Sequence, residues 1–473
     1  MADLSKSALL SAHDLTSQRW VMVSVMLGTG IVSINNNSFN PAIPQFMHDF
    51  RLAEVSVSWL MIIFLLTMSL SLLLASFLSQ RFGQRRIYLI SLFVFMMSSV
   101  LGAFATQFSV VLAARALQGI SNGLMVPLSL GILYSVIPKN ERSAVTGQWS
   151  GMMMLSLAAG PMIGALVLAW LDWQSLFLIN IPLACFAWII GCIFIPKPMV
   201  QVQPVSFNWS SFVWLTGSVV SLLVALSQVQ QLADLSGYLF ILLLLVSLFS
   251  AGLFYRTRHN QLFPIINWQL FQSSIFNKSL IISTAHTAAL FILLLLIPLL
   301  IQNTLSLSVL WTGFLLMISA LITSLCAKRV AQYLNQQNAK WLVSIGLCFS
   351  SMGFIGLSLI QTNALWPIAV CLIIHSVGFG LSYMPATTTG LNQLEQQVLI
   401  NQGASLNNLL RRLFATIAVL FAALYLQLQT HYSLPTDSIS AVQIHAIHEL
   451  FAVCASMMLL VLPLVLKFPS AKL

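Results

Sequence analysis

Hydrophobic positions along the chain do not alternate or recur every third or fourth residue; they gather into long apolar runs separated by short polar breaks. The runs lie near residues 20–43, 57–79, 87–107, 109–136, 144–169, 176–195, 209–229, 237–255, 277–300, 306–326, 341–360, 365–386, 405–426 and 448–467. About 20 mostly apolar residues in a helix cross the hydrocarbon layer of a bilayer. Fourteen such runs predict an all-α polytopic membrane protein with almost nothing outside the membrane. The longest connections, about 256–276 and 427–447, are too short for a separate soluble domain.

Composition agrees. Of 473 residues, 59% are hydrophobic and 6% are Asp, Glu, Lys or Arg, against roughly 25% charged in soluble domains. The net charge of +10 forms no broad patch with interleaved aromatics, so nucleic acid is excluded as a partner. The basic residues act as topology signals. With a cytoplasmic N-terminus, the inner loops receive Arg81, Arg85, Arg86, Lys139, Arg142, Lys197, Arg256, Arg258, Lys278, Lys328, Arg329 and Lys340. The tails add Lys6, Arg19, Lys467 and Lys472, and Arg411 and Arg412 fall near the cytoplasmic start of the thirteenth span. Arg51 lies in an outer loop, with Asp49, Glu54, Asp172, Asp234, Asp437 and Glu449 also outside. This asymmetry predicts both termini inside.

The six cysteines sit in apolar runs without CxxC spacing and read as packing residues, so neither a disulfide framework, a metal site nor a cofactor is expected. His431, His445 and His448 in the last outer loop read as surface histidines rather than metal ligands. The polar N-terminus lacks a signal-peptide core, so the first helix is expected to be retained.

Chemistry concentrates in a few segments. SFLSQRFGQRRIYL at 76–89 places Gly83 in a tight turn between Arg81 and Arg85, where basic residues anchor an inner helix boundary. LAARALQGISNG at 112–123 buries Arg115 one to two turns inside an apolar run, with Gln118 and Asn122 on the same side. An ordinary snorkelling anchor is one reading of Arg115, and a cavity-facing functional arginine is the preferred one. In GMMMLSLAAGPMIGALVLAW at 151–170, Gly151, Gly160 and Gly164 admit a neighbouring backbone and Pro161 permits a bend.

These segments, in this order, resemble the major facilitator superfamily, specifically its fourteen-span drug:proton antiporter branch. RFGQRR is similar to the family's loop between spans two and three, LAARALQG to its span-four arginine motif, AAGPMIG to its antiporter motif and FLINIP to its usual start of span six. FGLSYMPATTTGL at 379–391 and NQGASLNNLLRRL at 401–413 extend the resemblance over nearly the whole chain. It implies two six-helix bundles, 1–200 and 261–473, flanking an inserted helix pair and linkers at 201–260. It further implies alternating access by rocking of the bundles, with Arg115 as the proton-linked arginine. Gly160, Pro161 and Gly164 carry the antiporter motif, and no enzymatic activity is implied. The expected setting is a bacterial inner membrane, with a small-molecule substrate, protons and membrane lipids as partners. A periplasmic adaptor and an outer-membrane channel are further candidate partners.

The sequence departs from that family at two places. Gln80 stands where the loop motif normally has an acid, and Asn35 stands where the first span does. None of the ten acidic residues lies deep in an apolar run. If protons drive transport, a histidine or a boundary acid must carry them, with His375 the first choice and Asp172 the second. An imidazole titrates near physiological pH, and His286 and His375 are both within apolar runs. His375 is favoured by Tyr383 and by the bendable surroundings expected from Gly378 and Gly380. Asn35, Asn36, Asn37 and Asn40 form a polar cluster in which Asn36 and Asn40 share a helix face. Some of these amides must point inward or towards water, binding either a polar ligand or Arg115. Trp149, Met152, Met153, Met154, Trp214, Phe379, Tyr383 and Met384 would suit an adaptable cavity for amphipathic molecules. The leading expectation is efflux of such compounds, drugs and antibiotics included. The alternatives are a dedicated exporter of a siderophore or other endogenous metabolite, and a non-transporting sensor or scaffold.

Overall fold

The computed structural model describes residues 2–138, 141–196, 207–228, 236–257, 266–333, 339–360, 364–394, 396–432, 439–466 and 468, with side chains at 2–16, 143, 236, 237, 397, 398, 401, 431, 432, 439 and 440 left aside. Lys139, Lys197, Arg258, Asp234, Glu395, Asp437, Lys467 and Lys472 therefore lie outside the described residues, as do the side chains of Lys6 and His431.

The chain is all helical, as the apolar runs predict. Long helices are α1 (Ala2–Ser38), α3 (Glu54–Phe82), α4 (Gln84–Ala103), α5 (Phe108–Val136) and α6 (Arg142–Trp170), with a short α2 (Ile43–Phe50) after α1. The sixth run is split into α7 (Ser175–Leu178) and α8 (Asn180–Phe194). There follow α9 (Trp209–Ser227), α10 (Ser236–Arg256), α11 (Ser274–Pro298), α12 (Val309–Tyr333), α13 (Ala339–Ser358), α14 (Leu365–Leu391), α15 (Gln397–Tyr432) and α16 (Ile439–Val465). With α7 and α8 taken together, fourteen helices correspond to the fourteen runs. Thirteen are long and apolar enough to cross a membrane; α1, whose run contains Asn35, Asn36 and Asn37, falls short of that measure. The first run was expected to continue as one helix to residue 43. Instead α1 stops at Ser38, and Asn40–Ala42 forms a 3₁₀ turn around Pro41, because proline supplies no N–H and disfavours helix at the residue before it.

Two compact units emerge: Met1–Phe39 with Thr67–Ser206, and Asn40–Leu66 with Phe207–Leu473. In the first, α1 packs on α6 and α8, and α4 packs on α5 and α8, around Val25, Val32, Phe95, Met125, Leu133 and Ala187. Lipid is as apolar as leucine, so helices associate through close packing and hydrogen bonds rather than burial alone. Ser24 Oγ accordingly donates to the Ala187 carbonyl at 2.8 Å. Gly83 links α3 to α4 with φ 88°, a conformation that a Cβ makes costly, so the turn expected from the sequence is present. Arg85 crosses from the start of α4 to the end of α8, where it donates to the Cys192 carbonyl at 2.7 Å. Arg81 stays beside the rings of Phe77 and Phe82. The Gln80 amide is turned back on its own helix, donating to Ser76 Oγ at 3.0 Å.

In the second unit α11 packs against both α14 and α15, α13 packs against α14 and α16, and α9 pairs with α10. Three hydrogen bonds fasten the 40–66 segment within this unit. Gln302 Nε2 donates to the Pro41 carbonyl (3.0 Å), Gln443 Nε2 to Glu54 Oε1 (3.0 Å), and the Val55 N–H to Gln427 Oε1 (3.1 Å). The last of these satisfies one of the free amides at the start of α3.

Candidate functional site

Among its described residues the first unit holds one buried charge. Arg115, on α5, is 2% exposed, and a guanidinium so placed needs acceptors. Its Nη1 donates to Asn35 Oδ1 at 2.9 Å and to Gln118 Oε1 at 3.0 Å. Gln118 lies three residues on, on the same helix face, and passes the network to Ser99 Oγ at 3.1 Å. Below the guanidinium is the Phe39 ring, 4.3 Å from Cζ to centroid, close enough for a cation–π contact. Asn35, one of the clustered asparagines, and Gln118 are thus brought to Arg115. Asn36 remains half-buried outside these bonds, and Asn37 donates instead to the Leu157 carbonyl at 3.2 Å.

The glycines of α6 explain how Asn35 is held. A Cβ on Gly160 would stand 2.7 Å from the Ile34 carbonyl oxygen, and one on Gly164 would overlap the Ser38 carbonyl. α6 therefore seats directly on the last turn of α1, beside the asparagine that binds Arg115. Pro161 is buried between the two glycines within a continuous helix. Gly151 differs from expectation: a Cβ there would meet nothing within 4 Å, because its face of α6 has no helix against it.

Other first-unit candidates are dispersed. Asn122 is buried with Oδ1 unbonded. Trp149 packs on the unit's core with its indole N–H buried and unbonded. Asp172 is exposed at the turn after α6. Asn40 falls in the second unit, buried with its amide nitrogen unbonded. The helix break at Ser38 removes the common face expected for Asn36 and Asn40.

In the second unit the two buried histidines occupy separate polar seats. His375 Nδ1 lies 2.9 Å from Ser350 Oγ, and its ring sits 4.4 Å from that of Phe354. His286 Nε2 lies 2.7 Å from Ser382 Oγ. Ser382 also bonds the Gly378 carbonyl at 2.7 Å; with its one hydrogen donated there, its oxygen accepts from His286. The remaining ring nitrogens, His286 Nδ1 and His375 Nε2, are buried without hydrogen bonds. Gly378 and Gly380 lie within α14, which runs unbroken from Leu365 to Leu391. They admit neighbours: a Cβ on Gly378 would clash with backbone at Ser350 and Gly346, and one on Gly380 with Thr323 and Cys326. The α13–α14 approach is what brings Ser350 to His375.

Tyr383 stacks on Phe379, with centroids 4.9 Å apart and planes 12° apart. Its other neighbour, Arg411 on α15, has Cζ 5.3 Å from the ring centroid. In sequence Arg411 reads as a topology signal near a helix boundary, and the doubled arginine at the edge of an apolar run is the one hint of a further role. Ser350, Ser382 and Asn407, which accepts from Ser283 Oγ at 2.7 Å, had no signal beyond being polar in apolar helices.

A family model described as Major Facilitator Superfamily matches residues 25–419. Riboflavin transporter RibZ of Clostridioides difficile (strain 630) is 24% identical over 416 residues, 88% of this chain and 90% of that one. Drug efflux pump JefA of Mycobacterium tuberculosis is 25% identical over 346 residues, 72% of this chain and 67% of that one. The fold is shared with a bacterial homologue of the human lysosomal transporter Spinster in an inward-facing, unoccupied crystal structure. The TM-score is 0.66 with 13% identity, covering 97% of this chain and 99% of the other.

Proposed function

Because the chain belongs to the Major Facilitator Superfamily, and is a multi-pass secondary transporter rather than an enzyme, we propose that it exports small amphipathic compounds, drugs among them, in exchange for protons. In this reading residues 1–200 and 261–473 are the two rocking bundles and 201–260 carries the inserted pair. The membrane is a bacterial inner membrane, with both termini in the cytoplasm. The observation that carries it is the seat of Gly160 and Gly164 on the turn of α1 that presents Asn35 to Arg115. A glycine-lined contact lets one helix move against another without a side chain in the way. Here such movement would alter the acceptors of the one deeply buried guanidinium of this unit. The name of JefA, a drug efflux pump, agrees with this substrate class.

A second reading, transport of one dedicated polar metabolite, is favoured by the unbonded amide atoms of Asn40 and Asn122 and by a relative named for riboflavin. Purified protein in liposomes with an imposed pH gradient separates the two, using ethidium and riboflavin as probes and an internal pH dye for protons. Ethidium export accompanied by opposite proton movement is the expected result. Movement of riboflavin alone would overturn the drug reading, and export without proton movement would overturn exchange.

A further inference from the structure

From the pair Arg411 and Tyr383 we infer that the second unit carries a binding site for an amphipathic organic anion, its carboxylate or similar oxyanion held by Arg411 and the Tyr383 hydroxyl. This rests on the exporter reading and adds organic anions to the amphipathic compounds it covers.

Arg411 lies six residues into the apolar run 405–426, about 9 Å along the helix from that end, and is half-buried. A guanidinium at such depth ordinarily meets a carboxylate, a carbonyl or water. Among the described residues the ion pairs are His48 with Asp49 and His445 with Glu449. Neither Arg411 nor its neighbour Arg412 has a carboxylate partner among the described residues. Arg411 Nε and the Tyr383 hydroxyl are each buried without a hydrogen bond. Two donors of different chemistry, contributed by α15 and α14, are therefore close together and unspent.

The surroundings have the form of a site. α14 and α15 both pack along α11 yet touch one another little, so Arg411 reaches Tyr383 across a gap floored by α11. Along that floor Ser283 is bonded to Asn407 one turn before Arg411, so the donors offered at the site are those of Arg411 and Tyr383. The Phe379–Tyr383 stack provides an apolar wall, with His286 edge-on to Phe379 at 5.3 Å. Planar guanidinium donors match the two oxygens of a carboxylate, and the aromatic wall suits an apolar body attached to it. Arg412 adds positive charge without competing for the same atoms, since successive helix positions point about 100° apart.

The test uses carboxyfluorescein as the anionic probe and ethidium as the cationic one. Binding to the full-length protein in a neutral detergent is read by anisotropy, and transport is read in phosphatidylcholine liposomes. Arg411→Gln should weaken carboxyfluorescein binding about tenfold or more, Arg411→Lys less, and Tyr383→Phe, which keeps the stack, about threefold. Ethidium transport by Tyr383→Phe should fall by less than its carboxyfluorescein binding does. Equal loss for both probes in both variants would reduce the pair to a structural contact and overturn the inference. Full carboxyfluorescein binding by Arg411→Gln and Tyr383→Phe would overturn it as well. Anion binding lost when phosphatidylglycerol is added, with no transport of the probe in its absence, would assign the arginines to lipid headgroups and overturn it also. Arg411-dependent binding without transport of either probe would remove the exporter reading while leaving the anion site standing.

Discussion

Gly164 meets the carbonyl of Ser38 so closely that no larger residue fits between α6 and α1. Gly164→Ala should shift the last turn of α1 and with it Asn35. Overpacking of this kind costs about 1–3 kcal/mol, read as a lower thermal midpoint of the purified protein, with transport at least tenfold down. Gly151→Ala, in open space, should leave both unchanged. Equal behaviour of the two variants would show that the seat is not selective.

Arg115→Ala should strongly reduce transport while leaving insertion in the membrane intact, measured as activity per amount of purified protein. Lys should not rescue, because its ammonium lacks the planar guanidinium face that meets the Phe39 ring. Asn35→Leu removes an acceptor and leaves the guanidinium short of one partner, at a cost of about 1–3 kcal/mol. Asn35→Asp restores an acceptor of opposite charge and should be the better tolerated of the two. Normal transport by Arg115→Ala would demote it to an anchor.

Proton coupling has its own pair of variants. His375 is enclosed by Ser350 and Phe354 with Nε2 free, while Asp172 is exposed beyond α6. His375→Ala should lower the substrate-dependent proton flux in liposomes more than it lowers downhill substrate counterflow, whereas Asp172→Asn should have the smaller effect on the flux. Unchanged coupling in both would exclude these two carriers.

Topology is checked by reporters. Fusions after residues near 196–208 and 256–276 should read cytoplasmic, and fusions near 427–447 should read external. An inverted reporter in the last loop would sink the fourteen-span orientation.

The arginine cluster shows what a sequence discloses. Arg115 inside an apolar run demands acceptors, and helix spacing alone brings Gln118 to it. Asn35 was also legible, since an amide in a spanning helix seeks a polar partner. Phe39 and Ser99 were not, because which side chains face each other across helices depends on rotation and register that no local pattern records. The same limit applies to the histidines. Their depth was readable, but Ser350 and Ser382 arrive through the close approach of α13, α14 and α11. Gly378 and Gly380 also serve as contact surfaces, a role that a glycine's local sequence inside a helix does not disclose. The helix end at Ser38 was signalled by Pro41, but the long apolar run outweighed it in the reading of the first span.

Gln80, whose amide is turned back to Ser76, leaves the α3–α4 turn without a carboxylate to set against its arginines. Arg85 is held by a neutral carbonyl and Arg81 by aromatic rings. Ions in solution screen attraction between separated charges over about 10 Å at 0.1 M salt, but they weaken a carbonyl bond or a ring contact far less. The turn is therefore fastened by short-range contacts, and salt concentration should have little effect on how firmly it is held.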